Sequence, residues 1–208
     1  MQSVYIWNTL PVNGEKPDKT LSRSIGSVSL VRLAGVAMDD KYFYLSDGQE
    51  NKIYVWEGIP DENSEPIFII QSEKAGRLSS NGEYLATAAT LRDSGGPVGS
   101  IVIYKISDLA GGQPAAVLNG MFNLPQGVLV YDNHLFVGDT GFNTVHIWTD
   151  IKDAIDGKAA DIFLGEKGPT PKIGVGTLFW PATLAFNGSY LWVGEFKFSE
   201  RLLRFSVK

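Results

Sequence analysis

The sequence predicts an all-β protein built from repeated four-stranded antiparallel sheets, and a recurring apolar run is the first observation behind this fold class. The run reads VYIW at 4–7, IYVW at 53–56, IVIY at 101–104, VHIW at 145–148 and, more loosely, LLRF at 202–205. Its last, aromatic residues are 49, 48, 44 and 57 positions apart. A period of roughly 40–50 residues is typical of repeat architectures in which each unit is one small sheet.

Two further runs precede the aromatic one in each unit, and a tail follows it. The second run is YFYL at 42–45, YLAT at 84–87, LFV at 135–137 and YLWV at 190–193. A weaker run lies upstream of each, beginning near 35, 77, 127 and 182, and turn pairs such as Asn81-Gly82 and Asn187-Gly188 separate the two. Short β-branched and aromatic runs bounded by turn residues indicate strands, and Asn-Gly suits a tight hairpin. The tail is the fourth strand, where Pro and charge indicate a sheet edge.

The second and third strands are apolar on both faces, which decides between the architectures. A sheet with one face in water would alternate apolar and polar residues, whereas blades packed around a common axis are covered on both sides. We therefore predict a β-propeller of four-stranded antiparallel blades. The chain holds about four to five blades' worth of sequence: a partial blade at 1–30, units at 31–75, 76–119 and 120–168, and a partial blade at 169–208.

The predicted propeller is incomplete at both ends, because two strands open the chain and three close it. Either the chain is a fragment of a longer protein, or another chain completes the blades by self-association through the open sheet edges. The fragment is the favoured explanation.

The segment LPQGVLVYDNHLFVGDTGFNTVHIW (124–148) resembles an NHL repeat. The matching features are a Pro-x-Gly-Val start, an apolar strand ending in Gly-Asp, and a Gly-x-Asn turn into the next strand. The tail at 7–18, which reads Trp-Asn-x-Leu-Pro-x-x-Gly-x-x-Pro-Asp, resembles a microbial subset of such repeats, whereas the unit at 76–119 lacks the acidic residue and has a longer loop at 91–99. The resemblance implies a propeller, usually of six blades, and slightly favours a periplasmic or extracellular location.

Composition excludes several functions. The net charge is −5, and a nucleic-acid partner would normally require a clustered basic surface. Cysteine is absent, which removes disulfides and thiol catalysis, and we expect no membrane insertion because no apolar run approaches the length of a membrane span. The only histidines, His134 and His146, are too few for a three-histidine zinc site. No nucleophile motif is present, so no catalytic residue is predicted.

Three acidic residues end the second strand of their units: Asp47, Asp139 and Glu195. They are weak candidates for a Ca²⁺ or similar divalent metal site at the pore mouth, since hard cations prefer carboxylate oxygens. Lactonase-like propellers hold one metal with such residues, so a gluconolactonase-like, metal-dependent hydrolase is the alternative function. The structural interpretation is favoured, in which each carboxylate pairs with a base or accepts hydrogen bonds from turn amides. We therefore expect no cofactor.

The irregular loops at 91–99, 165–180 and 196–198 should share one rim of the propeller. Loops on a rigid scaffold commonly carry binding residues, and aromatic rings beside Arg or Lys are typical of recognition surfaces. The leading prediction is therefore a non-catalytic scaffold that binds a protein, peptide or extracellular polymer through this rim. The alternative is that the aromatic rings fill gaps between blades. The candidate contact residues are Arg92, Phe122, Phe142, Phe179, Trp180, Phe196, Lys197 and Phe198.

Overall fold

Antiparallel pairing of strands that follow one another in the chain builds every sheet of the computed structural model. It describes residues 2–93, 96–166, 174, 176–197 and 199–206, with the backbone alone for 90–93 and 96–98. Two short pairs come first: β1 (Ser3–Ile6) with β2 (Lys19–Ser22), and β3 (Ser24–Ile25) with β4 (Val28–Ser29).

Three four-stranded sheets and one three-stranded sheet follow. The first contains β5 (Leu33–Met38), β6 (Tyr42–Asp47), β7 (Lys52–Glu57) and β8 (Phe68–Gln71). The second contains β9 (Ala75–Ser80), β10 (Tyr84–Asp93), β11 (Gly96–Lys105) and β12 (Ala116–Phe122). The third contains β13 (Pro125–Tyr131), β14 (His134–Asp139), β15 (Thr144–Trp148) and β16 (Ile162–Leu164). The last contains β17 (Pro181–Phe186), β18 (Tyr190–Glu195) and β19 (Leu202–Ser206). A 3-10 helix (Ile106–Gly111) and the helix α1 (Ile151–Ile155) lie in connections. The prediction of four-stranded antiparallel sheets is confirmed.

The middle strands of the three four-stranded sheets are buried on both faces, as the sequence predicts. In the last sheet, by contrast, β18 and β19 alternate buried or half-buried residues with more exposed ones, so the prediction is wrong there. Phe43 packs with Trp56 in the core between the first sheet and the N-terminal strands, whereas the next residue, Tyr44, packs with Leu85 and Tyr104 of the second sheet. Successive side chains of a strand point to opposite faces. Each face of the first sheet therefore meets a different neighbour, which is the arrangement of stacked blades.

The first strands of the four successive sheets meet around a common axis. β5 contacts β9, β9 contacts β13, and β13 contacts β17. Glycine permits this approach: a Cβ added to Gly35 would lie 2.3 Å from the carbonyl oxygen of Gly76, and one added to Gly127 would lie 3.2 Å from that of Ala182. These strands line an axial cavity of about 370 Å³. Within the described part of the chain the sheets remain separate and none closes on itself.

The turns between the first two strands of three sheets are held by the same kind of side-chain hydrogen bond. The side chains of Asp39, Asn81 and Asn187 each accept hydrogen bonds from the backbone amides two and three residues ahead, at 2.7–3.1 Å. Asn and Asp favour turns because they replace a backbone acceptor in this manner. The hairpins predicted at these positions are thus fixed locally.

Two features differ from the sequence-based expectations. The pair β3–β4 was not expected; Gly26, at a φ of 54°, makes its turn. The predicted loop at 91–99 is largely strand, because β10 and β11 continue their pairing to Arg92 opposite Pro97 and Asp93 opposite Gly96. The second sheet therefore extends beyond its neighbours on this side.

Candidate binding surface

The carboxylate of Asp47 is bonded to backbone amides. One oxygen accepts from Gln49 and Glu50 in the β6–β7 turn at 2.8 and 3.0 Å, and the other accepts from Arg32, just before β5, at 2.9 Å. Asp47 is 1% exposed. Lys52, which lies opposite Asp47 in the β6–β7 register, pairs instead with Glu50, at 3.7 Å. Asp47 thus joins the turn of its own sheet to the start of β5.

Asp139 repeats this arrangement in the third sheet. Its oxygens accept from the amides of Asn123 and Leu124 before β13, at 3.0 and 2.9 Å, and from Gly141 in the following turn, at 3.2 Å. In the second sheet the equivalent position is Ala89, opposite Ala75 in the register. The carboxylate is therefore a repeated structural feature that the second sheet lacks.

Glu195 adds an ion pair to the same pattern. It accepts from the Phe179 amide at 2.7 Å, and Arg201 donates to both of its oxygens at 2.8 and 2.9 Å. Arg201 also donates to the carbonyl oxygens of Gly174 and Thr177, each at 2.9 Å. Burial acts to raise the pKa of Glu195, but the hydrogen bonds from Arg201 and Phe179 outweigh it and lower that pKa.

These contacts match the structural interpretation of the three acidic residues. Hydrogen bonds to amides and a guanidinium occupy the oxygens that a cation would need. Among the residues that the structure describes, no group of three or more His, Asp and Glu side chains lies close enough to hold a metal. The three carboxylates therefore give the metal-site alternative no support.

A left-handed residue precedes β9 and β17 and is held in the same way in both places. Lys74 and Trp180 both have a φ of 53°. The side-chain oxygen of Asn51 accepts from the Lys74 amide, and that of Asn143 accepts from the Trp180 amide, both at 2.9 Å. A bulky residue rarely adopts this conformation unless its surroundings fix it. The repeat thus supplies a rigid position at the rim, and the last sheet places a tryptophan there.

Three aromatic rings and a lysine meet at this position, and we call them the rim aromatic cluster: Phe179, Trp180, Phe196 and Lys197. The Phe179 and Trp180 rings are stacked with centroids 6.0 Å apart, and those of Trp180 and Phe196 are 6.2 Å apart. The Lys197 ammonium lies 5.5 Å from the Trp180 centroid and 5.2 Å from that of Phe196. Phe196 is 43% exposed, and Lys197 is exposed as well. The cluster combines apolar area with a cation at the surface.

The other predicted contact residues are placed differently. Phe122 is 3% exposed and packs edge-on against His146 with centroids 5.1 Å apart, so the prediction that it belongs to a surface is wrong. Phe142 is half-buried in the β14–β15 turn, next to Asn143. Only the backbone of Arg92 is described, within β10, and Phe198 lies outside the described residues.

Sequence reasoning missed the residues that position the cluster. Thr140 donates from its hydroxyl to the carbonyl oxygen of Pro181 at 2.8 Å, and Asn143 holds Trp180. The Gly-x-Asn turn was a usable signal, because asparagine at such a turn tolerates a positive φ and offers a side-chain acceptor.

Comparisons with known proteins support the fold. No model of a protein family matches the chain, and no curated protein matches its sequence. Among solved structures, the computationally designed Ika4 protein superposes with a TM-score of 0.59 at 13% identity, covering 90% of this chain and 98% of Ika4. The WD40 β-propeller domain of Doa1 gives 0.55 at 12% identity, covering 86% of this chain and 53% of the other. Myxococcus xanthus glutaminyl cyclase gives 0.53 at 13% identity, covering 84% and 65%. Together with the sheet arrangement, these similarities identify a β-propeller type of fold; at such identities they show nothing more.

No helix in the described part of the chain is long and apolar enough to cross a membrane.

Proposed function

We propose that this protein is a non-catalytic propeller scaffold that binds a protein, peptide or extracellular polymer through the rim aromatic cluster. The observation that carries the proposal is the stack of half-buried Phe179 and Trp180 with exposed Phe196, and Lys197 over two of the rings. Trp and other large aromatic residues dominate binding energy at interfaces because they bury much area for little loss of side-chain freedom.

Rigidity supports the same proposal. The Trp180 amide donates to Asn143, and its carbonyl oxygen accepts from the Phe196 amide at 2.9 Å. The Glu195–Arg201 pair ties the base of the β18–β19 hairpin to residues 174 and 177. A surface that is ordered before binding loses less conformational entropy on association. Resemblance to NHL repeats and a periplasmic or extracellular location remain part of the proposal; the motif at 124–148 supports them. The structure offers no observation that favours the hydrolase.

The test compares wild-type protein with Phe196→Ala in binding to two kinds of probe, a phage-displayed random peptide library and a panel of soluble polysaccharides. Peptides or polysaccharides selected on wild type should bind Phe196→Ala about 10- to 30-fold more weakly, as expected for a residue that dominates an interface. Tyr190→Ala is the matched control, because Tyr190 is 37% exposed at the opposite end of β18. Selected ligands that bind Phe196→Ala as tightly as wild type would refute the rim assignment.

A further inference from the structure

An arginine faces the axial cavity, and the described residues give it no acidic partner. Arg77 lies on β9, and the cavity beside it is bounded by all four inner strands. Its Nη1 donates to the carbonyl oxygen of Ala182 on β17. In the described part of the chain, none of the ion pairs includes Arg77. Arg77 is exposed to the cavity, and partial burial by the surrounding strands lowers the pKa of its guanidinium.

Most of the side chains that line the cavity around this cation are apolar. Among the described residues that line it, Arg77 is the only charged one and Thr183 the only other with a polar side chain. The remaining lining comes from backbone and from aliphatic side chains, among them Val36, Leu78 and Leu184. A cleft with low-dielectric walls and charge of one sign concentrates its field and attracts a counter-ion. An anion that enters the cavity would therefore be attracted to the guanidinium of Arg77.

The chemistry of the site selects the kind of anion. A guanidinium carries five N–H donors in a planar fork, and only one of them is bonded to Ala182. Such a fork matches a carboxylate with two parallel hydrogen bonds. A single positive charge balances one negative charge, and aliphatic walls favour a ligand with an apolar body. The cavity volume of about 370 Å³ lies within the range for small-molecule sites.

We propose that the axial cavity binds a small aliphatic monocarboxylate, with its carboxylate on Arg77 and its hydrocarbon tail against the inner strands. This site is separate from the rim aromatic cluster and does not depend on the function proposed for that cluster.

The experiment is a titration of the whole chain with acetate, propionate, butyrate, 1-butanol and inorganic phosphate, followed by ligand-observed NMR. The dissociation constant should fall about fourfold with each added methylene, since burying one contributes about 0.8 kcal/mol. 1-Butanol, which has the same carbon chain without the charge, should fail to compete with butyrate. Butyrate should bind Arg77→Gln at least about tenfold more weakly and Arg77→Lys with an intermediate affinity, because lysine retains the charge but lacks the fork. Arg204→Gln is the charge-matched control, because Arg204 is exposed on β19, away from the axis.

A second pair of variants leaves Arg77 in place, in case its removal disturbs folding. Val36 lines the same cavity and is 52% exposed, so Val36→Asp introduces a competing carboxylate at a tolerant position, and Val36→Asn is its neutral control. Butyrate should bind Val36→Asn and not Val36→Asp. Butyrate binding that is unchanged in Arg77→Gln or in Val36→Asp, phosphate binding tighter than butyrate, or no binding of any probe to wild type would each overturn the proposal.

Discussion

Replacement of Gly35 by alanine tests the packing of the inner strands, on which the architecture depends. The new Cβ would lie 2.3 Å from the carbonyl oxygen of Gly76 and 2.8 Å from the Cα of Arg77. Both are backbone atoms of β9, which no side-chain rotation can move. Carbon atoms in contact are about 3.5–4.0 Å apart, so β5 and β9 would have to separate by about 1 Å at this point.

Two opposing effects set the magnitude of the change in stability. Overpacking of a well-packed region costs about 1–3 kcal/mol. Alanine also reduces the entropy of the unfolded chain, which returns about 0.4–1 kcal/mol. The net expectation is a destabilisation of about 1–2 kcal/mol. In a chain of this size that corresponds to a decrease in Tm of roughly 2–8 °C.

Urea and thermal unfolding of wild type, Gly35→Ala and Gly111→Ala measure this effect. Gly111, at the end of the 3-10 helix, is the matched control: an added Cβ there meets no heavy atom within 4 Å, and its φ is not positive. Gly111→Ala should be as stable as wild type or slightly more stable. If Gly35→Ala matches Gly111→Ala, the inner strands are not in contact, and the common axis inferred from them is wrong.

Three further predictions concern the core, the rim and acid stability. Trp148→Ala should destabilise by about 3–5 kcal/mol in urea unfolding, because Trp148 is fully buried; a cost below about 1 kcal/mol would contradict its place in the core. Asn143→Ala and Asn51→Ala should each lose about 1–2 kcal/mol of stability, since each removes a hydrogen bond that holds a left-handed residue. Only Asn143→Ala should weaken binding of rim-selected ligands, and equal weakening by both variants would point to a general effect on folding. The lowered pKa of Glu195 stabilises the fold fully above the unfolded value of 4.5 and stops doing so as the pH falls through the folded value. Glu195→Gln should therefore flatten the acid part of the stability–pH curve, and a curve parallel to that of wild type would exclude this role.

The strands were predictable because two kinds of local signal agree. Runs such as YFYL at 42–45 combine strand-forming residues with apolar character at every position, and only a sheet covered on both faces buries all of them. The turn residues at Asn81 and Asn187 then fix where each strand ends. The pairing within each sheet follows from proximity along the chain.

The extended β10–β11 hairpin was not predictable from the same signals. Residues 91–99 contain Gly, Pro and Asp, which indicate a loop when read locally. Antiparallel pairing that starts at Tyr84 opposite Lys105 nevertheless continues to Asp93 opposite Gly96, because a hairpin can extend without help from other strands. Pairing within the hairpin here overrides local composition.

The candidate surface was predictable only in part, because a loop sequence does not tell which rings point outward. Phe122 and Phe196 were indistinguishable in the sequence, yet His146 of the next sheet covers Phe122, and Phe196 stays exposed. The acidic residues show the opposite case: the recurrence of Asp47 and Asp139 at one position already favoured a structural role. Their bonds to turn amides agree with it.

The short segment from Trp180 to Ala182 connects the rim to the axis. Asn143 and Phe196 bond the amide and carbonyl of Trp180, Pro181 has no amide hydrogen and its carbonyl accepts from Thr140, and the carbonyl of Ala182 accepts from Arg77. The backbone of this segment is therefore held by two neighbouring sheets as well as by its own. Such constraint explains how a tryptophan keeps a left-handed conformation at the surface. It also means that Trp180 of the rim aromatic cluster directly precedes β17, the strand that lines one side of the axial cavity. The two proposed sites are thus joined by one rigid segment, although each would bind a different kind of ligand.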